Sequence, residues 1–302
     1  MRSDARLWLC LWTVYIVWGS TYLAIRYMVR TLPPLLGSGA RFLVAGLVFA
    51  VVLLIRDGVA GLKLSRQEWI GSAVVGIALL FGGNGLVTVA ENMGLASGIA
   101  ALVIASVPLW VVVFRRTTGE VVGAITAGSV ALGFLGVAIL LLPGRPTGAP
   151  IGGLLVAMAA AFCWAAGSFV SGRIAVPSDP VRAASAQMVC GGAAMLAAGV
   201  LAGEGAQLHP GSVSAESLIA FAYLVVFGSL VAFTAYAWLL AHAPISQVAT
   251  YAYVNPVVAI ALGSVFLDEQ VTTLVLAGAA VIVGSVAVTV RSEAARRAAQ
   301  TA

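Results

Sequence analysis

The chain has 302 residues, of which 61% are hydrophobic and 9% charged, with a formal net charge of +5. A soluble domain carries about 25% charged residues, so this composition excludes an ordinary water-soluble fold and leaves a membrane protein. A bilayer-spanning helix needs about 20 mostly apolar residues. Ten such stretches are predicted, near residues 8–29, 36–55, 69–90, 98–114, 121–142, 152–172, 183–202, 216–240, 245–266 and 272–290. No polar–apolar alternation of the length a barrel strand requires is present, so the spans are helices, which satisfy their own backbone in lipid.

The first stretch follows two arginines, but no small-residue cleavage site ends its apolar run, and it reads as a retained helix rather than a signal peptide. At its centre is WGSTYLAIR, Trp18 to Arg26. Trp18 sits at mid-membrane, unlike Trp8, Trp12 and Trp69, which suit an interfacial belt, and its indole N–H needs an acceptor there. Two readings stay open for it: helix packing with that N–H bonded to a neighbour, or a polar cavity wall shared with Ser20, Thr21 and Tyr22. Arg41 lies about five residues into the second stretch. A cation costs about 2.5–3.5 kcal/mol at a helix centre, but near the outer end it can snorkel or bond a carbonyl, a structural role.

The third stretch carries Asn84, Thr88, Glu91 and Asn92 at i, i+4, i+7 and i+8. That is one helical stripe, expected to face protein or water; interhelical hydrogen bonding is the alternative reading of its amides. Glu91 is expected at the outer interface, and as the one carboxylate placed near a cavity it is a possible coupling site. Pro108, inside the fourth stretch, removes a backbone donor and is a candidate hinge or a static kink. Glu120 is expected to open the fifth helix, where a carboxylate suits the positive helix end.

The Pro/Gly-rich LPGRPTGAPIGG, Leu142 to Gly153, then reads as a linker. It divides a unit at 1–142 from a unit at 152–302, with 143–151 between them outside the membrane. The sixth stretch contains WAAGSFVSGR, with Trp164 near its centre and Ser168 and Ser171 after it. The seventh holds Gln187, and the eighth Thr234, Tyr236, Trp238 and His242. The ninth has Thr250, Tyr251, Tyr253 and Asn255 just before Pro256, a second candidate hinge. Glu269 is expected to open the tenth helix. The glycines at 82, 83, 85, 199 and 203 read as close helix packing.

An offset of 146 residues pairs Trp18 with Trp164, Pro34 with Pro180, and Phe81–Gly82 with Phe227–Gly228; Arg41 then falls opposite Gln187. Pro108 pairs with Pro256 at 148 and Glu120 with Glu269 at 149. Each unit holds five helices, an odd number, so the second enters the membrane from the opposite face. Inverted repeats are the signature of alternating-access carriers, with the site near the midplane between the copies. With the N-terminus cytoplasmic, the inner loops and tails carry Arg2, Arg6, Arg56, Lys63, Arg66, Arg115, Arg116, Arg173, Arg182, Arg291, Arg296 and Arg297, most of the 16 basic residues. This asymmetry predicts both termini inside. The scattered charges form no basic helix or aromatic platform for nucleic acid.

The order of these marks over residues 8 to 290 resembles the EamA-type drug/metabolite transporters, bacterial exporters of amino acids and related metabolites, and more loosely the aromatic amino acid exporters among them. The marks are Trp18–Gly19–Ser20, Pro34 to Phe42, SGIAALVIASVPLWVV from Ser97 to Val112, Gly119–Glu120, and their second-half counterparts through VNPVVAIALGSVFLDE. The resemblance implies an all-α inner-membrane fold of ten helices in two inverted five-helix repeats, with both termini cytoplasmic. It also implies a central cavity lined mainly by helices 1, 3, 4, 6, 8 and 9.

No HExxH, GxSxG, GxGxxG or Walker sequence is present, and Lys63 is the only lysine. His209 and His242, and Cys10, Cys163 and Cys190, have no metal-ligand or disulfide pattern. The expectation is a non-enzymatic carrier needing no cofactor, metal or partner protein, with the lipid bilayer as its surroundings. Its cavity is expected to be built from Trp18, Tyr22, Asn84, Thr88, Trp164, Ser168, Tyr251 and Asn255, without a fixed pair of opposite charges. Such a cavity suits uncharged or zwitterionic solutes, neutral and aromatic amino acids first. The alternatives are a multidrug, nucleoside or sugar exporter of the same fold, or a channel.

Overall fold

A computed structural model describes residues 2–141, 150–243, 248 and 250–301. The predicted linker falls almost wholly on 142–149, outside the described residues, as does the start of the ninth predicted span. Among the described residues ten helices cross the molecule: α1 (Arg2–Met28), α2 (Pro34–Asp57), α3 (Arg66–Asn92), α4 (Ser97–Thr117), α5 (Ala124–Leu141), α6 (Ile151–Ser171), α7 (Pro180–Leu201), α8 (Ala215–Leu240), α9 (Tyr251–Phe266) and α10 (Thr273–Thr301). Their outer surfaces are apolar and exposed, as at Leu47, Ile55, Leu201, Ile219 and Val265. That is the composition lipid requires of a helix bundle.

Local sequence sets where the helices begin. Ser65 and Glu68 start α3 with a reciprocal capping box. Ser214 accepts the Ser217 N–H at 3.1 Å to start α8, and Asp179 accepts the Arg182 N–H at 2.9 Å to start α7. Burial pushes the Asp179 carboxyl up, but that N–H and the Arg56 guanidinium outweigh it and hold the group below the usual carboxylate range.

Equivalent helices of the two repeats pack on one another, α2 against α7 and α5 against α10. Small residues make the first contact possible: a Cβ on Gly39 would lie 2.8 Å from the Leu196 nitrogen, and one on Gly192 would lie 2.6 Å from the Leu43 nitrogen. In the second, Ser129 meets Thr289 and Thr126 meets Ser292, both at 2.8 Å. The packing of α1 and α6 obeys the same twofold relation. Helix α1 packs on α8 and α9, and α6 packs on α3 and α4. Gly203 departs from its expected packing role: its φ of 78° places it in a left-handed turn after α7 with open space around it.

Two breaks in regular α geometry recur at equivalent places. In α3 the backbone widens into a π-helical segment over Ile77–Gly85, and in α8 over Leu224–Val231. The FG pairs at Phe81–Gly82 and Phe227–Gly228 lie inside these segments. The fourth helix is also interrupted, at Ala105–Ser106, so that Pro108 stands in the first turn of its second half rather than well inside a continuous helix. By contrast α9 runs unbroken through Pro256.

Candidate functional site

Between the repeats lies a cavity of about 420 Å³, within the range of small-ligand pockets. Its walls come from all the helices except α5 and α10. It reaches Ser171, Ala184 and Leu240, near the helix ends on the face that carries both termini. Toward the opposite face it stops at Ile25 and Val87. The cavity is therefore directed to the side of the termini.

The far face is closed by contacts between the repeats. Glu269, in the turn before α10, accepts the Ser97 and Gly98 N–H groups at 2.7 and 3.1 Å and the Ser97 hydroxyl at 3.0 Å. Glu204 accepts the Leu35 and Leu36 N–H groups at 3.2 and 2.8 Å. Two carboxylates of the second repeat thus occupy the N-terminal ends of α2 and α4, where unsatisfied donors and the helix dipole favour an anion. Glu269 accordingly does not open its own helix as expected. Nor does Glu120, which bonds Arg115 at 2.7 Å and Arg173 at 3.0 Å. On the far face Arg30 pairs with Glu216 at 3.0 Å, and the Tyr27 hydroxyl donates to the Phe266 carbonyl at 3.2 Å.

The π-helical segments organise the middle of the cavity. The Trp18 indole N–H donates to the Gly228 carbonyl at 3.3 Å, a backbone group inside the π-helical segment of α8. Its ring centroid lies 5.0 Å from that of Tyr236 and 5.2 Å from that of Tyr251, and these two are 5.8 Å apart. The result is a three-ring cluster in edge and tilted contact on the cavity wall. In the other repeat Trp164 packs on Gly83, where a Cβ would lie 2.6 Å from its ring. The pseudo-symmetric tryptophans each sit on the π-helical segment of the opposing helix.

Of the sequence-predicted residues, Trp18, Tyr22, Asn84, Trp164, Ser168, Tyr251 and Asn255 line the cavity, together with Pro108 and Pro256. With its amide nitrogen turned to donate, Asn255 meets the carbonyls of Tyr251 and Tyr15, both at 3.2 Å.

Thr88 does not line it. It is fully buried against α2, its hydroxyl 2.9 Å from that of Ser38 and donating to the Asn84 carbonyl at 3.0 Å. The π-helical segment ends at Gly85, so a stripe counted at 3.6 residues per turn changes face there. Glu91 is also corrected: it is 0% exposed instead of interfacial, and neither carboxyl oxygen has a hydrogen-bond partner. Its backbone carbonyl accepts from Arg26, and its side chain is not on the cavity wall.

Arg41 was expected to snorkel near the outer end; it is 3% exposed and faces the cavity. Among the described residues it is the only charged side chain on that wall. Tyr236, Phe233 and Gln187 also line it. The pairing of Arg41 with Gln187 at the 146-residue offset was the available signal, because two polar residues at one membrane depth in both repeats point to a shared interior.

The EamA-like transporter family matches the chain twice, over residues 7–142 and 151–291. An uncharacterized inner membrane transporter of Escherichia coli, YedA, is 37% identical over 277 residues, covering 91% of this chain and 88% of that protein. A probable amino-acid metabolite efflux pump of Escherichia coli is 25% identical over 280 residues, covering 89% of each. A solved crystal structure aligns with a TM-score of 0.64 at 23% identity, covering 94% of this chain and 97% of the other, a likeness of fold.

Proposed function

Because the chain belongs to the EamA-like transporter family and is a multi-pass inner-membrane transporter, we propose that it exports neutral amino acids, aromatic ones included, by alternating access. The observation that carries this reading is the ring cluster of Trp18, Tyr236 and Tyr251 on the wall of a mid-membrane cavity. Aromatic faces give a bound solute apolar contact and attract an ammonium group. Asn84, Ser168 and Asn255 add amide and hydroxyl partners. The reading is supported by the relative described as a probable amino-acid metabolite efflux pump.

The arginine balance supports cytoplasmic termini. The cavity then opens to the cytoplasm, where an exporter loads, while Glu204 and Glu269 hold the outer face shut. Release requires those contacts to part and the inner ends of α3, α6 and α8 to close. Pro108 and Pro256 are the proposed hinges, and Glu91 is the proposed place where a proton could couple to the cycle. Export down the solute gradient is favoured, since no carboxylate reaches the cavity wall among the described residues.

Counterflow in proteoliposomes with labelled amino acids, nucleosides, sugars and cationic drugs tests the assignment. Amino acids are expected to exchange saturably, and Trp164→Ala to weaken phenylalanine at least several-fold more than alanine. Exchange of nucleosides or sugars without any amino acid contradicts it, and fast flux without counterflow points to a channel.

A further inference from the structure

We propose that Arg41 binds the carboxylate of the transported solute, which makes a free carboxylate the feature the cavity reads. The inference rests on the amino-acid reading for the identity of the solute, but the carboxylate site stands on its own geometry.

Arg41 is nearly all buried, and its one hydrogen bond among the described residues runs from Nε to the Ser229 hydroxyl at 3.0 Å. Ser229 is held in turn, its hydroxyl donating to the Leu224 carbonyl at 3.0 Å across the π-helical turn of α8. This leaves Nη1 buried without a partner. The guanidinium rests on the Phe42 ring, 4.4 Å from its centroid, which orients the plane without satisfying a donor. A guanidinium presents five N–H donors in a fixed fork matched to a carboxylate. Here one edge is anchored and the rest is unspent.

A structural arginine in the same bundle looks different. Arg26, on α1, donates from one guanidinium nitrogen, Nη1, to a backbone carbonyl and is only partly buried. Arg41 has no such acceptor, and no carboxylate lines the cavity among the described residues. A buried, unpaired cation is costly, so its retention on a cavity wall fits an anion that arrives with the solute. The pseudo-symmetric position holds Gln187, also on the wall, so only one repeat supplies charge and the site has one polarity.

The neighbourhood fits an α-amino acid. A Cβ on Gly228 would lie 3.1 Å from Arg41 Nη2, and the Gly228 carbonyl accepts from Trp18. The guanidinium and the ring cluster therefore flank one residue. A carboxylate on Arg41 leaves an adjacent ammonium or side chain facing Trp18, Tyr236 and Tyr251, where ring faces favour both.

The test uses the full chain purified in detergent and follows the ligand-induced rise in melting temperature with phenylalanine, 3-phenylpropionate, phenylalaninamide and phenethylamine. Phenylalanine and 3-phenylpropionate are expected to act at concentrations at least tenfold below those of the amide and the amine. R41Q is expected to erase the preference for acid over amide, R41K to keep part of it, and S229A to reduce it with the fold intact. Equal potency of phenylalanine and its amide on the wild-type chain overturns the proposal, as does an undiminished preference in folded R41Q or in S229A. If R41Q does not fold, the wild-type comparison together with R41K and S229A decides. Potent 3-phenylpropionate with no amino-acid exchange in proteoliposomes would sink the amino-acid reading and leave the Arg41 site standing. Amino-acid exchange indifferent to the carboxylate would do the reverse.

Discussion

Glu91 and Arg41 are both charged residues within the membrane, and their surroundings separate them. Arg41 is anchored at one edge and faces open volume. Glu91 is sealed, with neither oxygen partnered. A buried polar group without a partner costs about 1–3 kcal/mol, and an ionised one more, so replacing this carboxyl with an amide should not destabilise the fold. E91Q is expected to melt at or above the wild-type temperature and to keep amino-acid exchange with unchanged pH dependence. Retained exchange with loss of pH-dependent net transport would contradict the gradient-driven reading and make Glu91 the proton site. Neither environment could be read from one dimension. Depth along a helix was legible for both, but Arg41 is buried because Ser229, 188 residues later, lies across from it. Glu91 is buried where α3 meets α1, its backbone carbonyl bonded by Arg26, 65 residues earlier.

Whole elements were far more legible than their local geometry. The ten helices follow from apolar length, and the FG pairs marked equivalent places in α3 and α8. That those places are π-helical was hidden, because an almost continuous apolar run such as Ile77–Phe81 has no periodicity to betray a wider turn. The cost was the face assigned to Thr88; the consequence for function is larger, since the π-helical segment of α8 contains both the Gly228 carbonyl that accepts from Trp18 and the Ser229 hydroxyl that accepts from Arg41. The turn between α9 and α10 shows a second such device. Asp268 adopts a left-handed conformation with φ of 52°, and Gly263 leaves room for the returning Glu269 carboxylate, which a Cβ would approach to 2.3 Å. Hydrogen bonds to a charged acceptor contribute about 1.5–3 kcal/mol each when removed. Partial exposure lowers that, so E269A is expected to favour the outward-open state by about 1–2 kcal/mol, roughly tenfold in population. Cysteines placed at the outer end of α4 should then react faster with impermeant thiol reagents from outside. Unchanged reactivity would show that Glu269 is not a latch.

At the scale of the whole molecule, the twofold relation between the repeats places similar helices around the cavity and different chemistry on its two sides. Trp18 and Trp164 repeat; Arg41 and Gln187 do not. The state described here is closed on one face by carboxylates capping α2 and α4, and its cavity extends to the face that holds the termini. The repeat and the arginine asymmetry could be read from residue order alone, but which face is shut depends on contacts between the repeats that no spacing reveals. The central claim is that one cavity opens alternately to the two faces. Ser168 lines it, and with Cys10, Cys163 and Cys190 replaced, a Ser168→Cys variant reports its access to an impermeant thiol reagent applied from either side. The account predicts labelling from the cytoplasmic side at rest, falling as saturating external and internal phenylalanine drives exchange while labelling from outside rises. Labelling only from outside at rest, or from both sides at once whatever phenylalanine does, would contradict it.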